Sequence, residues 1–422
     1  MIELLNITNY QYSTSFRGLC LTDQSNVLWR HRLRNSWLLT FTHFIIHALL
    51  SYCKPDIYLI ATANRHSVIH NPTLVLMNTT TLTERLIKFE QLMPCKAAFI
   101  DAKTPGSHLK DNYSIIGGGV SESKHQRVNL TEKHGFCIGA AGQPPHIKNS
   151  PHSHFTAEVF MVYSGKWRFY WNNDCQAEVV VEPGDIISLP TNMFRGFENV
   201  GDEDGIIFSI LGHDDAGGGV EWLPRVIEEA QGYGLILLEN GKLVDTTIGE
   251  KIPEGIKPKA VLTTQELATF DQYTPEAMAK HVGKLSDYVP SPYTKFANQT
   301  PETIFWVDVI GPADSEGHRF QVKPGDHNGD QFNVYGLKAN SVGDTGTYSR
   351  DEVEVMLVNR GQFEVSCQHE GQTLSDTLKD GDIISFPKGS SRRIQPLGEG
   401  FAYFVVGGDY PDAPKILELI VK

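Results

Sequence analysis

The chain is poor in cysteine. It has six in 422 residues, at positions 20, 53, 95, 137, 175 and 367, none in a Cys-x-x-Cys spacing. That excludes the paired-thiol zinc and redox motifs and leaves ordinary reduced thiols, as expected of a cytoplasmic protein. Basic residues are outnumbered, 37 Lys and Arg against 50 Asp and Glu, for a formal net charge of −13. Nucleic acid is therefore not an expected partner, because phosphate neutralisation needs clustered cations. Several catalytic signatures are missing as well. There is no Gly-x-Ser-x-Gly, no His-Glu-x-x-His and no dinucleotide Gly-x-Gly-x-x-Gly, which removes support for a serine hydrolase, a zincin or a nicotinamide enzyme. The three glycines of IIGGGVSES, Ile115 to Ser123, are not followed by Lys-Ser or Lys-Thr, so they do not make a phosphate loop. Long apolar runs are scarce too. SWLLTFTHFIIHALLSYC follows the basic RHRLR at 30–34. It is short for a membrane span and interrupted by Thr and His. Residues 1–76 are read as a dispensable N-terminal extension in preference to an anchor, and no membrane partner is expected.

What is present is ample core material, with 40% hydrophobic and 10% aromatic residues, in a chain long enough for two or three domains. It also repeats itself. GDIISLP starts at Gly184 and GDIISFP at Gly381; EVFMVYSG starts at Glu158 and EVMLVNRG at Glu354. Two matches at nearly one offset imply two copies of a single domain, and so long a period excludes a solenoid.

Each copy is strand-like. EVFMVYSGKWRFYW, Glu158 to Trp171, reads as a hairpin turning at Ser164-Gly165; Pro-Gly-Asp then makes a turn before Ile186–Leu189, and IIFSIL from Ile206 is a further buried run. Short strands at regular spacing indicate a sandwich or barrel. The fold class is all-β dominated, two barrels joined by a partly helical connector. A helix with Pro224 in its first turn follows the first copy, and starts are expected at Thr263, with a capping box to Glu266, and at Thr274-Pro275. MNTTTLTERLIKFEQLM from Met77 opens like a capped amphipathic helix. The expected domains are 77–245, a connector over 246–300, and 301–422.

One constellation carries chemistry. In SPHSHFTAEVFMVYSG, residues His152, His154 and Glu158 share even numbering. On one regular strand they would share a face, with Ala157, Val159 and Met161 on the other. Two imidazoles and a carboxylate suit a divalent transition metal with open positions, Fe(II) first, with Mn, Ni or Zn as alternatives.

HSHFTAEVFMVYSG resembles the first cupin motif, HxHxxxExxxxxxG. GDIISLPTNMFRGFEN, Gly184 to Asn199, partly matches the second, GxxxxxPxGxxHxxxN. The chain therefore resembles a bicupin, a duplicated jelly-roll barrel, over roughly residues 100–245 and 300–422. The resemblance implies a metal site in the first copy and departs from the motif at one place: the third metal histidine is replaced by Arg195. Asn192 stands where glycine is usual, a residue able to take the same left-handed backbone. An arginine cannot ligate a metal. Either the three-residue face holds the ion and Arg195 clamps an anionic substrate, or the site holds no ion and Arg195 pairs with Glu158 or Glu198. His134, His146 and His213 are further candidate ligands. Asn192, Asn199, Arg350 and Arg392 are candidate pocket residues.

In the second copy the His positions become Tyr348 and Arg350, and the third-histidine position Arg392, around Glu354. No metal set survives there, so that barrel is expected to be structural or to bind an anion through the two arginines. The resemblance implies a dioxygenase-type oxidoreductase acting on a small organic acid, aromatic acids included. The alternatives are a non-catalytic small-molecule-binding bicupin and a metal-dependent isomerase or lyase. A homodimer is expected by resemblance alone.

Overall fold

The computed structural model of the chain describes residues 80–214, 219–291, 302–311, 322 and 332–408, together with the backbone of the short strands Thr8–Asn9, Tyr12–Ser13, Ile57–Thr62, Thr73–Asn78 and Lys415–Ile416. The chain divides into two units, Met1–Thr81 and Leu82–Lys422. In the first, Thr8–Asn9 pairs with Tyr12–Ser13 and Ile57–Thr62 with Thr73–Asn78, both antiparallel. The basic segment at 30–34 and the apolar run after it lie outside the described residues. Among the described residues no helix is long and apolar enough to cross a membrane.

The second unit holds both copies, each as a jelly-roll barrel of two sheets. In the first barrel a seven-stranded sheet runs, in spatial order, Val282–Gly283, Ile186–Leu189, Glu158–Ser164, Gly205–Gly212, Phe136–Gln143, Asp111–Ile116 and Val128–Leu130; a five-stranded sheet runs Ala177–Val181, Trp167–Trp171, Arg195–Asn199, Lys148–Ser153 and Glu221–Trp222. The second barrel repeats the scheme with sheets of six and five strands. The repeated letters are explained by burial on both faces. Along Glu158–Ser164, Phe160 and Val162 fill the first barrel with Trp167, Phe169 and Phe197. Val159 and Met161 face the opposite way, into a core shared with Val355, Leu357 and Tyr403 of the second barrel. A strand covered on both sides reads as an unbroken apolar run, and each such side chain contributes about 1.5–3 kcal/mol of burial.

Two sequence expectations are corrected here. Glu158–Ser164 and Trp167–Trp171 do not form a hairpin, because they belong to different sheets; Trp167–Trp171 pairs with Ala177–Val181 and Arg195–Asn199 instead. Ser164-Gly165 is the corner where the chain changes sheet. Gly165 has φ 82°, and a Cβ there would lie 2.7 Å from Gly205 Cα, so only glycine fits. Nor is the segment after Met77 a helix where it is described. Leu86–Ile87 pairs with Ile384 and Ile383 on the edge of the second barrel, and only Phe89–Gln91 makes a 3₁₀ turn. Sheet pairing and burial of Leu82 and Ile87 override the local helix signal. These residues thus complete the second barrel, although the sequence placed them at the head of the first.

The connector signals are present. Pro224–Gly232 is a helix with proline in its first turn; Thr263 and Glu266 form the capping box of Thr264–Leu267; Thr274 caps Pro275–Met278. The connector closes the first barrel through Val282–Gly283, which pairs with Ile187 and Ile186.

Candidate metal centre

His152 lies in Lys148–Ser153, flanked by Arg195 on one side and Trp222 on the other. The strand ends at Ser153, and Glu158 opens the next strand in the other sheet, between Leu189 and Leu211. The even spacing therefore does not act through one continuous strand. The chain crosses at His154–Ala157 from one wall of the barrel to the other, and the three side chains converge because the walls face each other. Phe155, between the histidines and the glutamate, is 52% exposed.

One ligand atom from each of His152, His154 and Glu158 lies within 4.8 Å of the others, and all three residues are buried. His152 Nδ1 donates to the Ser150 carbonyl (2.9 Å), and Asn149 Nδ2 lies 3.2 Å from the same nitrogen. The shorter contact assigns the proton to Nδ1 and leaves Nε2 with its lone pair. His154 Nδ1 lies 3.0 Å from the Thr156 carbonyl and 2.8 Å from Thr156 Oγ1; its Nε2 meets Arg195 Nη2, which can only donate, so the proton is on Nδ1 and Nε2 carries the lone pair. A backbone carbonyl behind each imidazole is the support that metal-binding histidines require. Burial, followed by the charge of Arg195, lowers both histidine pKa values, that of His152 to about 3. Both rings are therefore neutral near neutral pH. Burial works against the Glu158 carboxylate, but His154 and Arg195 more than offset it and hold it below the ordinary carboxylate range. Donor type, tautomer and protonation state all fit a divalent ion.

Arg195 complicates that fit. It is 1% exposed. Its Nη2 donates to His154 Nε2 (2.5 Å) and to Glu158 Oε2 (3.0 Å), Nε donates to Glu158 Oε2 (3.1 Å), and Nη1 donates to the Met193 carbonyl (3.1 Å). Of the two anions considered from sequence, Arg195 is paired with Glu158; Glu198 pairs with Arg168 (2.6 Å). The guanidinium is turned onto the metal donors and does not line the cleft described below, where a substrate carboxylate would enter.

That cleft is narrow, a cavity of about 70 Å³ partly open to solvent, with His152 and Glu158 among its lining residues. Its walls include Phe99, Phe160, Phe197 and the glycines Gly117–Gly119; no lysine or arginine lines it. The glycine run was the sequence signal for this wall, since three successive residues without side chains leave room beside the site.

The other candidates lie elsewhere. Asn192 takes φ 55°, the left-handed conformation expected of it, but its amide donates to Thr269 O and Asp271 Oδ2 of the connector. Asn199 sits at the far end of its strand from Arg195 and ties a turn, donating to Gln143 O and Glu203 O. Neither lines the cleft. His134 is bonded to Ser385 Oγ (2.7 Å), while His146 and His213 are exposed.

The second barrel rebuilds the arrangement with other letters. Tyr348 pairs with Arg392 as His152 pairs with Arg195. Glu354 Oε2 accepts from Tyr348 Oη (2.9 Å) and Arg392 Nη1 (3.1 Å), and Glu354 Oε1 lies 2.7 Å from Arg350 Nε. Arg350 and Arg392 thus meet an internal carboxylate, and Glu354, Arg392 and Tyr348 are fully buried.

Residues 142–211 match the cupin domain family. No curated protein matches the chain. Among solved structures, the chain is similar to vicilin from hazelnut (Corylus avellana) at 14% identity and TM-score 0.45, over 77% of this chain and 86% of that one. It is similar to vicilin from Solanum melongena at 13% and 0.47, over 79% and 86%, and to oxalate decarboxylase from Lactobacillus farciminis at 11% and 0.47, over 81% and 90%. The cupin match falls on the stretch that bears His152, His154, Glu158 and Arg195, so residues 142–211 are a cupin domain, and the chain builds the same barrel, turn and buried quartet a second time.

Proposed function

We propose that the first barrel is the working half of a metal-dependent bicupin, an oxidoreductase of the dioxygenase type that acts on a small organic molecule, with Fe(II) the first candidate ion. The observation that carries this reading is the buried trio of deprotonated donors, His152 Nε2, His154 Nε2 and Glu158, two of which, His152 and Glu158, line a cleft. These three residues would hold the ion, which supplies Lewis-acid polarisation or, as Fe(II), oxygen activation. The Ser150 and Thr156 carbonyls keep both imidazoles in the ligating tautomer. Phe160 and Phe197 present apolar walls suited to a flat or aromatic body.

The test is the metal content of the full-length protein, purified anaerobically, against that of His154→Ala, followed by oxygen-uptake screening with aromatic and aliphatic acids and their uncharged analogues. About one equivalent of Fe, Mn or Ni that is lost in the variant supports the reading. Absence of metal from both proteins after reconstitution overturns it. A second reading, a bicupin that binds a small molecule without a metal, is favoured by one observation, the Arg195 guanidinium seated on His154 and Glu158. It calls for ligand-induced stabilisation of the metal-free protein.

A further inference from the structure

We infer that Arg195 is a resident cation of the first barrel that competes with a divalent metal for His154 and Glu158, and so sets how tightly, and how reversibly, the site is loaded. The inference rests on the reading of His152, His154 and Glu158 as the metal face. It replaces the role of substrate clamp that the sequence suggested for this arginine.

The exclusive contact is the one to His154. An imidazole nitrogen has one lone pair in the ring plane. His154 Nδ1 is committed to Thr156 O, so the Nε2 pair that accepts from Arg195 Nη2 is the pair a metal would need. Glu158 is less restrictive, because both arginine contacts fall on Oε2 and Oε1 is left over. Charge points the same way. With two neutral imidazoles, one carboxylate and one guanidinium, the buried set sums to zero. A divalent ion added beside a fixed Arg195 would leave a net charge of +2 in a site whose four side chains are all at least nine-tenths buried. Removing so much charge from water is unfavourable without compensation. In the second barrel Arg392 stands in the register of Arg195 and pairs with Glu354, which also meets Arg350, where the histidines are absent.

The experiment is a titration of the chelator-stripped full chain with Co(II), read by calorimetry and by the visible absorption of the bound ion. It compares wild type, Arg195→Gln, Arg195→His and the double variant His154→Ala/Arg195→His. Arg195→Gln is expected to bind at least tenfold tighter than wild type. Arg195→His, which adds a third imidazole, is expected to bind tighter still, and the double variant should lose that gain. Equal affinity of wild type and Arg195→Gln, within about twofold, overturns the inference and leaves the metal-dependent function standing. Tight binding by Arg195→His with none by wild type supports the inference and removes the metal from the function of the natural chain. No binding by any of the proteins overturns both. Should the Arg195 variants not fold, the wild-type protein still decides. The Nε–H resonance of Arg195 is expected to shift when diamagnetic Zn(II) binds, and a resonance that stays in place with Zn(II) bound overturns the inference.

Discussion

Replacing Glu354 by Gln in the second barrel should be more damaging than the same change at Glu158 in the first. Glu354 pairs with both Arg350 and Arg392, and it is 0% exposed. Glutamine keeps the shape and removes the charge, so two guanidinium groups face each other in the barrel interior. Removing one partner of a single buried pair costs about 3–5 kcal/mol, because the other charge stays behind uncompensated. Glu354 meets two guanidinium groups where Glu158 meets one, so the expected loss lies at or above the top of that range. For a unit of roughly 340 residues, an unfolding entropy of about 2.1 cal/mol/K per residue gives roughly 0.7 kcal/mol per degree. The Tm should therefore fall by about 7 °C or more for Glu354→Gln and by about 4–7 °C for Glu158→Gln. Thermal unfolding followed by circular dichroism is the assay. Measured at about 0.05 and 0.5 M NaCl, the difference from wild type should persist, because a buried pair is poorly screened. Replacing the charged trio together by Arg350→Met, Glu354→Leu and Arg392→Met should restore most of the loss, since well-packed apolar residues match a buried ion pair. A Glu354→Gln shift below about 2 °C, or a triple variant worse than the single one, would refute the claim that Glu354 compensates the buried arginines of this barrel.

Glu122 offers a pH test. Burial pushes its carboxyl up to about 8 despite N–H donors from Trp222 and Ile100. A folded-state pKa above the unfolded one gives a contribution that is intact below about 4.5 and is lost as pH rises through about 8. Glu122→Gln should therefore gain on wild type across that window, by up to roughly 5 kcal/mol; parallel urea midpoints at all pH values would argue against it. At the cleft, a Cβ on Gly118 meets nothing within 4 Å, whereas one on Gly117 would lie 2.5 Å from Cys137 Sγ at a backbone φ of 71°. Gly118→Leu should fold with a Tm within about 1 °C of wild type, take up Co(II) unchanged and lose turnover or ligand-induced stabilisation. Gly117→Leu should fail on stability. Tyr403 Oη donates to Gly184 O (2.7 Å) across the two barrels, so Tyr403→Phe should cost about 1–2 kcal/mol without changing metal uptake.

Much of this was legible in the letters. GDIISLP and GDIISFP repeat because each copy needs the same glycine turn followed by a strand buried on both faces. The metal donors were legible as residue types. Their convergence was not explained by the spacing, because it depends on a chain that changes sheet between Ser153 and Glu158. The same kind of crossing at Gly165 defeated the hairpin reading, since a corner and a hairpin turn both use Ser-Gly. Arg195 was visible as a departure from the motif, but where its guanidinium would point depends on Met193 O and His154 Nε2, which only the folded barrel brings together. Leu86–Ile87 and Val282–Gly283 left no sequence signal at all, since a two-residue strand has no periodicity to read.

That first short strand has a consequence for synthesis. The Phe89 N–H just beyond it is satisfied by Asp382, 293 residues further along the chain. At about 5–20 residues per second, the segment leaves the ribosome on the order of 15–60 s before its partner exists. Throughout that interval the apolar side chains of Leu82, Leu86 and Ile87 have no sheet to lie on. The first barrel can close once Val282–Gly283 has emerged, but the second waits for both ends of the chain. From the emergence of Val282–Gly283 until Asp382 follows, the growing polypeptide is thus half folded with the Leu82–Ile87 segment uncovered, and this is the stage at which a chaperone would find most to hold.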